Sequence, residues 1–540
     1  MLWKKESNGN DSMYVDLYAL NGGRASFDKV DCFARQGKPS STFNKNGVVS
    51  LQKRNEGDKY FSQGKWTRAM ELYGESLCYA EHGSKNVNLA YANRSACFLK
   101  MKRYNECLID IELAKEAGYP ANLIPQLDQR KEECLKAIDE GAQPVMFEPK
   151  LSFEPNENFP CMANVLKIDR DAQGDLGIFA KEHIDVGQTI VVEKAFMTYL
   201  YTHHGWKCNI CLKEYGNFVP CKKCTVAMFC SEECQGNSLH KYECGLRYSD
   251  SVMMNGFIMR VVRGCLLAID MFSDADELMT FVEQAISSDR NQIPSTLLDE
   301  KSQYEAFLKL PIKPASTEHH EFMINLTIAF SAQKLLMRIP RVNSMFKLEK
   351  YRRFFMHFIT HQYQVMENNS FICGSNHDDM DDDYVPFESR TGLMIGYKKH
   401  SCAPNVMVSR TVGHKFGLIT VRPVMKGQQI LHAVIVPLLT LSKRERHQIL
   451  WQDRKMLCKC ARCEGVTASK VLCKRIQSDP DYQYITQQSI PPTRGDDDAK
   501  QSMQTMIDKC ERFLRQYGQT AWCNEFGRVV TIYMTLVDRQ

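Results

Sequence analysis

The soft metal ligands of this 540-residue sequence fall in pairs. Cys208-x2-Cys211, Cys221-x2-Cys224, Cys230-x3-Cys234 and His240-x3-Cys244 bring eight thiol or imidazole groups into one short segment. A close pair lets one turn present two donors at about 2.3 Å from a shared ion, and four donors complete a tetrahedral zinc shell with no open position. Eight such ligands predict two structural zinc ions. Reactive or merely buried cysteines would need paired spacing to arise four times over. Further on, Lys399-His400-Ser401-Cys402-Ala403-Pro404-Asn405 is followed by Cys458-x-Cys460-x2-Cys463, so Cys402, Cys458, Cys460 and Cys463 can close a third site, of four thiolates. The alternative there is a group of buried cysteines spaced by chance.

The rest of the composition narrows the context. A formal charge of +5, 44% hydrophobic and 25% charged residues fit an ordinary globular chain, and the charge is too weak to argue for nucleic acid by itself. No run approaches the roughly 18 uninterrupted apolar residues of a membrane helix, and Met1-Leu2-Trp3-Lys4-Lys5-Glu6 lacks the apolar stretch of a signal peptide. A nuclear and cytoplasmic protein without a membrane partner is expected. In that setting thiols stay reduced, so the twenty-two cysteines read as metal ligands or small buried side chains.

Several elements must position these ligands. Structure is expected to begin near Leu51, and from there to about Ile138 amphipathic helices repeat: an offset of 38 places Asn55 on Asn93, Phe61 on Leu99, Trp66 on Tyr104 and Ala69 on Cys107. Gly64-Lys65 marks a helix turn, and Glu81 to Asn86 reads as a loop. Ile178-Phe179-Ala180 and Thr189 to Val192 are β-branched or apolar runs separated by Asp185-Val186-Gly187-Gln188, a strand–turn–strand signal. Residues 252–368 carry helical periodicity, as in Phe257-Ile258-Val261-Val262-Cys265-Leu266. An acidic run, Asp378 to Asp383, precedes strand candidates resuming after Gly392: Val406 to Val408, Leu418 to Val421, and Ile430 to Val436 beyond a turn at Gly427. Helical pattern returns from about Ala468, broken at Pro491 to Asp498.

The helical unit resembles the tetratricopeptide repeat, whose usual period is about 34. All eight positions of the first cysteine cluster match the MYND zinc finger, whose interleaved pairs imply Cys208, Cys211, Cys230 and Cys234 on one ion and Cys221, Cys224, His240 and Cys244 on the other. The His-Ser-Cys-x-Pro-Asn segment and the later cysteines resemble a SET domain with its post-SET tail, and the whole, from about Asn55 to Gly465, is similar to the tetratricopeptide-bearing subgroup of the SET and MYND (SMYD) family. The resemblance implies an α+β multidomain chain: a lead segment (1–50), tetratricopeptide-like helical hairpins (51–140), a linker (141–160), the first part of the SET β-fold (161–207), the finger (208–244), a helical insert (245–375), an acidic loop (376–391), the second SET part (392–440), the post-SET zinc site (441–465) and C-terminal helices (466–540).

Members of that family are protein-lysine methyltransferases using S-adenosylmethionine, and the resemblance assigns cofactor contacts to Gly177, Asn369, Lys399, His400 and Met456. Four positions depart from the pattern. Asp175 stands where the first glycine of the Gly-x-Gly turn belongs, so a side chain is expected in the cofactor's space. Lys399 replaces an asparagine that both donates and accepts with a group that only donates. Val434 takes the place of the catalytic tyrosine, and valine has no hydroxyl to position an amine or steer its proton. Met456 or Leu457 falls where an aromatic ring packs the cofactor. Gly174, Tyr384 or Tyr397 can supply a missing function, but four departures together point to a degraded methyl-donor pocket.

The expectation is therefore a zinc-dependent protein-interaction scaffold in transcriptional or chromatin regulation. The alternative is an active S-adenosylmethionine-dependent protein-lysine N-methyltransferase acting on histone or non-histone proteins. Proteins or peptides should bind through the finger and the repeats, with histones or histone-modifying complexes among the candidates. Sequence-specific DNA binding is not expected, because Lys207, Lys213, Lys222, Lys223 and Lys241 share the finger with Glu214, Glu232, Glu233 and Glu243.

Overall fold

Two helical hairpins of matched length open the described chain. In the computed structural model, which describes residues 44–141, 149–201, 207–213, 216–244, 252–288, 296–312, 319–374, 387–397, 399–410, 415–434, 436–491 and 497–538, helices α1 (Gly47–Ser62) and α2 (Trp66–Tyr79) recur as α3 (Lys85–Lys100) and α4 (Tyr104–Glu116). Helix α1 starts four residues before the expected Leu51, because the Asn46 side chain caps it by accepting from Val48 N and Val49 N. Lys85 and Asn86, read as loop, already belong to α3. Gly64, at φ +77°, makes the turn between α1 and α2. Ala69 and Cys107, the small residues at matched positions, are both fully buried, and Gly57 lies so close under the Tyr73 ring that a Cβ there would clash. Helix α5 (Ile124–Asp139), with Pro125 in its first turn, packs on α4. Most of the lead segment, residues 142–148 of the linker, the acidic run and residues 492–496 lie outside the described residues.

The β-fold begins with the antiparallel pair β1 (Leu166–Arg170) and β2 (Leu176–Ala180), followed by β3 (Thr189–Lys194) and β4 (Met197–Leu200). The finger contributes the short pair β5 (Val219–Pro220) and β6 (Met228–Phe229) and helices α6 (Glu232–Gln235) and α7 (Ser238–Glu243). A helical insert comes next: α8 (Val252–Met271), α9 (Ala275–Ser287), α10 (Glu300–Lys309), α11 (His319–Leu336), α12 (Pro340–Met345) and α13 (Glu349–Asn369). Strands β7 (Ser370–Gly374) and β8 (Phe387–Thr391) join β4 in the order β4-β8-β7. Strand β8 corrects the sequence expectation, since it occupies the end of the presumed acidic loop. Its buried residues are polar and gave no hydrophobic signal, yet each has a partner: Arg260 Nη1 donates to Ser389 Oγ (3.2 Å), Arg390 Nη1 to Lys415 O (2.8 Å), and Thr391 Oγ1 meets Ser370 Oγ (2.7 Å).

The second half of the β-fold adds β9 (Lys399–His400), β10 (Val406–Arg410), β11 (Lys415–Thr420) and β12 (Leu431–His432), in a sheet ordered β3-β11-β10-β12-β9. Strand β12 runs parallel to both β9 and β10, so the chain between those two wraps around it. The expected strand from Ile430 to Val436 is reduced to these two residues. Here the Asn405 side chain replaces ladder bonds, accepting from Leu431 N (2.7 Å) and donating to Gln429 O (2.9 Å). Helix α14 (Lys443–Arg454) follows, and helices α15 (Lys470–Gln477), α16 (Pro480–Gln487), α17 (Asp497–Tyr517) and α18 (Asn524–Val537) bury Phe513, Trp522 and Val530 in one core with Met407, Ile419 and Val421 of the sheet region. No helix among the described residues is long and apolar enough to cross a membrane.

Two buried guanidinium groups hold the finger in place. Arg94 of α3, fully buried, donates from Nε and Nη2 to the Asp110 carboxylate (2.6 and 2.7 Å) and from Nη1 to Phe218 O of the finger (3.0 Å). On the other side Arg263 of α8 donates to both carboxylate oxygens of Glu243 in α7 (2.6 and 2.8 Å), and to Thr198 O and Asn209 O. Replacing Arg94 with methionine would strand the Asp110 charge, a loss of about 3–5 kcal/mol. Arg94→Met is therefore expected to lower the denaturant midpoint at which a protease cuts within residues 44–141, while Arg94→Met with Asp110→Leu recovers much of it. An unchanged midpoint in the single variant would remove the pair from any role in docking the repeats.

Candidate metal centres

The finger's eight donors converge on two points. One donor atom each from Cys208, Cys211, Cys230 and Cys234 lie within 4.8 Å of one another, and so do those of Cys221, Cys224, His240 and Cys244. Local structure explains the convergence. Strand pairing sets Met228 opposite Pro220, with Cys221 N donating to Ala227 O, so Cys221 and Cys230 leave opposite ends of the hairpin toward different donor groups; Asn209 locks the first loop by accepting from Met228 N (2.8 Å), and the Ser231 cap of α6 fixes Cys234 by accepting from its N–H. Helix α7 then presents His240 and Cys244 one turn apart. Within each Cys-x2-Cys pair one thiol holds the proton for the other. Hydrogen bonds from Cys211 and Cys230 push Cys208 down and the Cys221 thiol falls by its bond from Cys224, while Cys211 and Cys224 rise by the same contacts. Three or four sulfurs around each point fit zinc.

The third group unites distant parts of the chain. Cys402, from the segment between β9 and β10, meets Cys458, Cys460 and Cys463 with donor atoms again within 4.8 Å. Two buried arginines surround the four sulfurs. Arg446 of α14 donates to Cys463 Sγ (3.4 Å), and Arg462 donates from Nη1 to Cys402 O (2.8 Å) and Leu438 O (3.0 Å). Burial and the neighbouring Arg446 charge push the Arg462 group down to about 10. Four thiolates on one zinc carry a net charge of −2, which these guanidinium groups offset. Neither Arg94 and Arg263 nor this pair carried a spacing signal in the sequence, since each partner is far away along the chain.

Of the residues matched to the methyl-donor site, His400, Val434 and Met456 lie against this third group. His400 Nδ1 accepts from Val434 N (3.3 Å), and burial pushes the ring down to about 4, so the imidazole is neutral and its Nε2 carries the hydrogen facing Cys402 Sγ (3.5 Å). Val434 and Met456 both pack against the apolar cluster of Cys402, Leu438, Leu450, Cys458 and Cys463, whereas Leu457 is exposed. The Asn369 amide donates to Pro311 O (2.7 Å) and Val365 O (2.8 Å). Gly177 faces the Gln429 side chain, which a Cβ there would strike. Lys399 reaches across to the β1–β2 turn, where its Nζ meets Asp171 Oδ2 (2.5 Å) and Gln173 Oε1 (2.9 Å). Asp175, expected to intrude on the cofactor's space, is instead exposed; the turn is closed by Asp171, whose carboxylate accepts from Gln173 N and Asp175 N as well as from Lys399. Gly174, at φ +84°, supplies the turn's left-handed residue, Tyr397 is buried, and Tyr384 lies outside the described residues.

Fold and centres together define a SET-type β-fold protein carrying a MYND zinc finger. The MYND finger family model matches residues 208–244. The chain is 22% identical to mouse protein-lysine N-methyltransferase SMYD4 over a 560-residue alignment covering 81% of this chain and 69% of that protein. With human SMYD4 the identity is 24% over 551 residues, 78% of this chain and 67% of the relative. A shorter stretch of 97 residues, 16% of the chain, is 36% identical to the human mitochondrial import receptor subunit TOM70, over 15% of that protein. The finger match and the likeness to SMYD4 proteins over most of the chain support a protein of the SET and MYND domain-containing (SMYD) type.

The two kinds of zinc site should part company on mutation. Lys45 Nζ bonds Cys221 O and Cys78 O, both at 2.7 Å, so the second finger site is tied directly to the repeats. Cys221→Ser is expected to lose at least one equivalent of zinc and to make the repeats protease-sensitive, because structural zinc supplies folding energy. Cys402→Ser should lose one equivalent and leave the repeats protected. Zinc counted by mass spectrometry, beside a limited digest, checks both; equal digestion of the two variants would uncouple the finger metal from repeat docking.

Proposed function

We propose that this chain acts mainly as a zinc-ordered scaffold that gathers protein partners, in transcriptional or chromatin regulation, and that its methyl-donor pocket is degraded. The observation that carries the reading is the Lys399 bridge to Asp171 and Gln173. In the family pattern the turn and the residue before His-Ser-Cys flank the cofactor; here they are joined to each other by an ion pair. Asp171 is held well below the usual carboxylate range by hydrogen bonds from Lys399 and from the Gln173 and Asp175 backbone, against a desolvation effect that alone would raise it. The Asp171 side of the joint therefore stays ionised at neutral pH.

The residues present do not fit S-adenosylmethionine. Both nitrogens of His400 face protein atoms, the Asn369 amide nitrogen is engaged by two carbonyls, and Val434 and Met456 offer only aliphatic surface beside the thiolate group. A lysine amine would find no phenol at Val434 to orient it. The SMYD4 relatives are protein-lysine N-methyltransferases by name, which supports the other reading, protein-lysine methylation, as does the buried Tyr397 hydroxyl, which burial pushes far up and keeps protonated. The finger and the TOM70-like stretch support binding of proteins or peptides; histones and histone-modifying complexes as partners, and work in the nucleus and cytoplasm, belong to the proposal.

Calorimetric titration of S-adenosylmethionine into the zinc-loaded full chain tests the pocket without a substrate. No heat of binding is expected from the parent protein, whereas Lys399→Asn with Val434→Tyr should gain measurable affinity. Micromolar binding by the parent would overturn the degraded-pocket reading and turn the search to a lysine substrate.

A further inference from the structure

We propose that Cys473, Cys523 and Glu525 form a fourth metal site, for a thiophilic divalent cation of the zinc class, with three protein ligands and one position left to solvent. Among the described residues this is the one ligand group outside the finger and post-SET clusters, with donor atoms from all three residues within 4.8 Å of one another. Nothing in the local sequence signals it, because Cys473 and Cys523 stand alone, fifty positions apart.

The backbone explains the meeting. Thr467 and Trp522 form a parallel bridge, and Ala468 N donates to Trp522 O (3.1 Å), so the segments leading into α15 and α18 lie side by side. Each then turns into its helix at the same level. Cys473 lies in the second quarter of α15, and Cys523 is the N-cap of α18, its Sγ accepting from Phe526 N (3.5 Å), which fixes its rotamer. Glu525 follows in the first turn of α18. One helical turn beyond Cys473, on the same face of α15, Gln477 donates from Nε2 to Glu525 Oε1 (2.6 Å). This is the outer-shell contact that commonly orients a ligating carboxylate.

The donor chemistry selects the occupant. Two sulfurs favour a soft or borderline ion over magnesium or calcium, and around a tetrahedral zinc such donors sit roughly 3.3–3.8 Å apart, within reach of the observed convergence. A disulfide would use only the two sulfurs, whereas a divalent cation uses all three donors and offsets two of their three negative charges. Cys523 is buried and Cys473 and Glu525 are partly exposed, so an ion has a route in and a solvent molecule can complete the shell. A bound ion would staple α15 to α18 beside the core that supports β10 and β11. With three protein ligands it should be the most labile ion in the molecule.

Zinc bound to the purified, reduced full chain is counted by mass spectrometry during stepwise chelation. Four equivalents are expected, one leaving at chelator concentrations that spare the other three. Cys473→Ser with Cys523→Ser, its fold checked by circular dichroism, should hold three and lack the early step. Glu525→Gln, which keeps both thiols and the helix cap, should still bind the ion with roughly tenfold or more lower affinity. Cobalt added after the first chelation step should give sulfur-to-metal charge-transfer absorption in the parent and none in the double variant. Three equivalents in the parent under zinc excess, a fourth equivalent that survives in the double variant, or a Cys473–Cys523 disulfide found in place of the metal would each overturn the site. Since it shares no residue with the Lys399 region, its failure leaves the scaffold reading standing, and the reverse holds too.

Discussion

Two buried arginine–carboxylate pairs, Arg94 with Asp110 and Arg263 with Glu243, fix the finger between the repeats and the helical insert, and the arrangement of the whole chain depends on that clamp. Each guanidinium spends its remaining donors on backbone carbonyls of other elements, Phe218 O in one case, Thr198 O and Asn209 O in the other. A carbonyl can serve as a precise acceptor only if its loop has one conformation. The finger has little regular structure of its own, one short strand pair and two short helices, so metal coordination must supply that rigidity. Zinc binding and domain docking are in this sense one interaction: the ions order the loops, and the ordered loops satisfy charges that would otherwise be stranded in the interior.

The same logic governs the centre of the β-fold. Asn405 and the segment from Ser401 wrap β12, with Ser401 N donating to His432 O and Asn405 N to Leu431 O. Cys402 lies within that wrapped segment and is tied to cysteines more than fifty residues later, so a zinc there closes the wrap from outside. Arg462 extends the closure by reaching Cys402 O, Leu438 O, Leu441 O and Asn524 Oδ1, which joins the zinc region to the first turn of α18. Ions, buried arginines and the C-terminal helices thus reinforce one another, and none of these supports requires a functioning methyl-donor site.

Periodicity and spacing made local features legible and left distant ones hidden. The 38-residue offset appears in the helix starts themselves, Gly47 against Lys85 and Trp66 against Tyr104. The donor pairs of the finger were readable because one turn presents both members; which pair joins which came only through family resemblance, since spacing says nothing of pairs of pairs. Strand β8 was hidden because Ser389, Arg390 and Thr391 are polar, and burial of polar groups is decided by partners that local sequence does not display. The shortening of β12 was hidden for a related reason, a side chain standing in for a neighbouring strand. At the methyl-donor position the substitutions were visible while their arrangement was not: Asp175 drew attention as the intruding group, yet it is the reach of Lys399 to Asp171 that joins the two sides.

On the scaffold reading, that joint would let a methyl-donor pocket decay without loss of the fold. An asparagine before His-Ser-Cys would leave the turn between β1 and β2 without a partner across the gap when no cofactor is bound. A lysine carries its own ligand function inward, tying β9 to the turn through Asp171 and Gln173, at a partly exposed site where the ion pair alone contributes only about 0–1 kcal/mol. The gain is modest in energy but specific in geometry, since it replaces an intermolecular contact by an intramolecular one. Val434 and Met456 complete the exchange by packing aliphatic surface on the zinc-bearing cluster. On the scaffold reading, the positions that catalysis would otherwise hold serve order instead, and the zinc centres bear on docking rather than on chemistry.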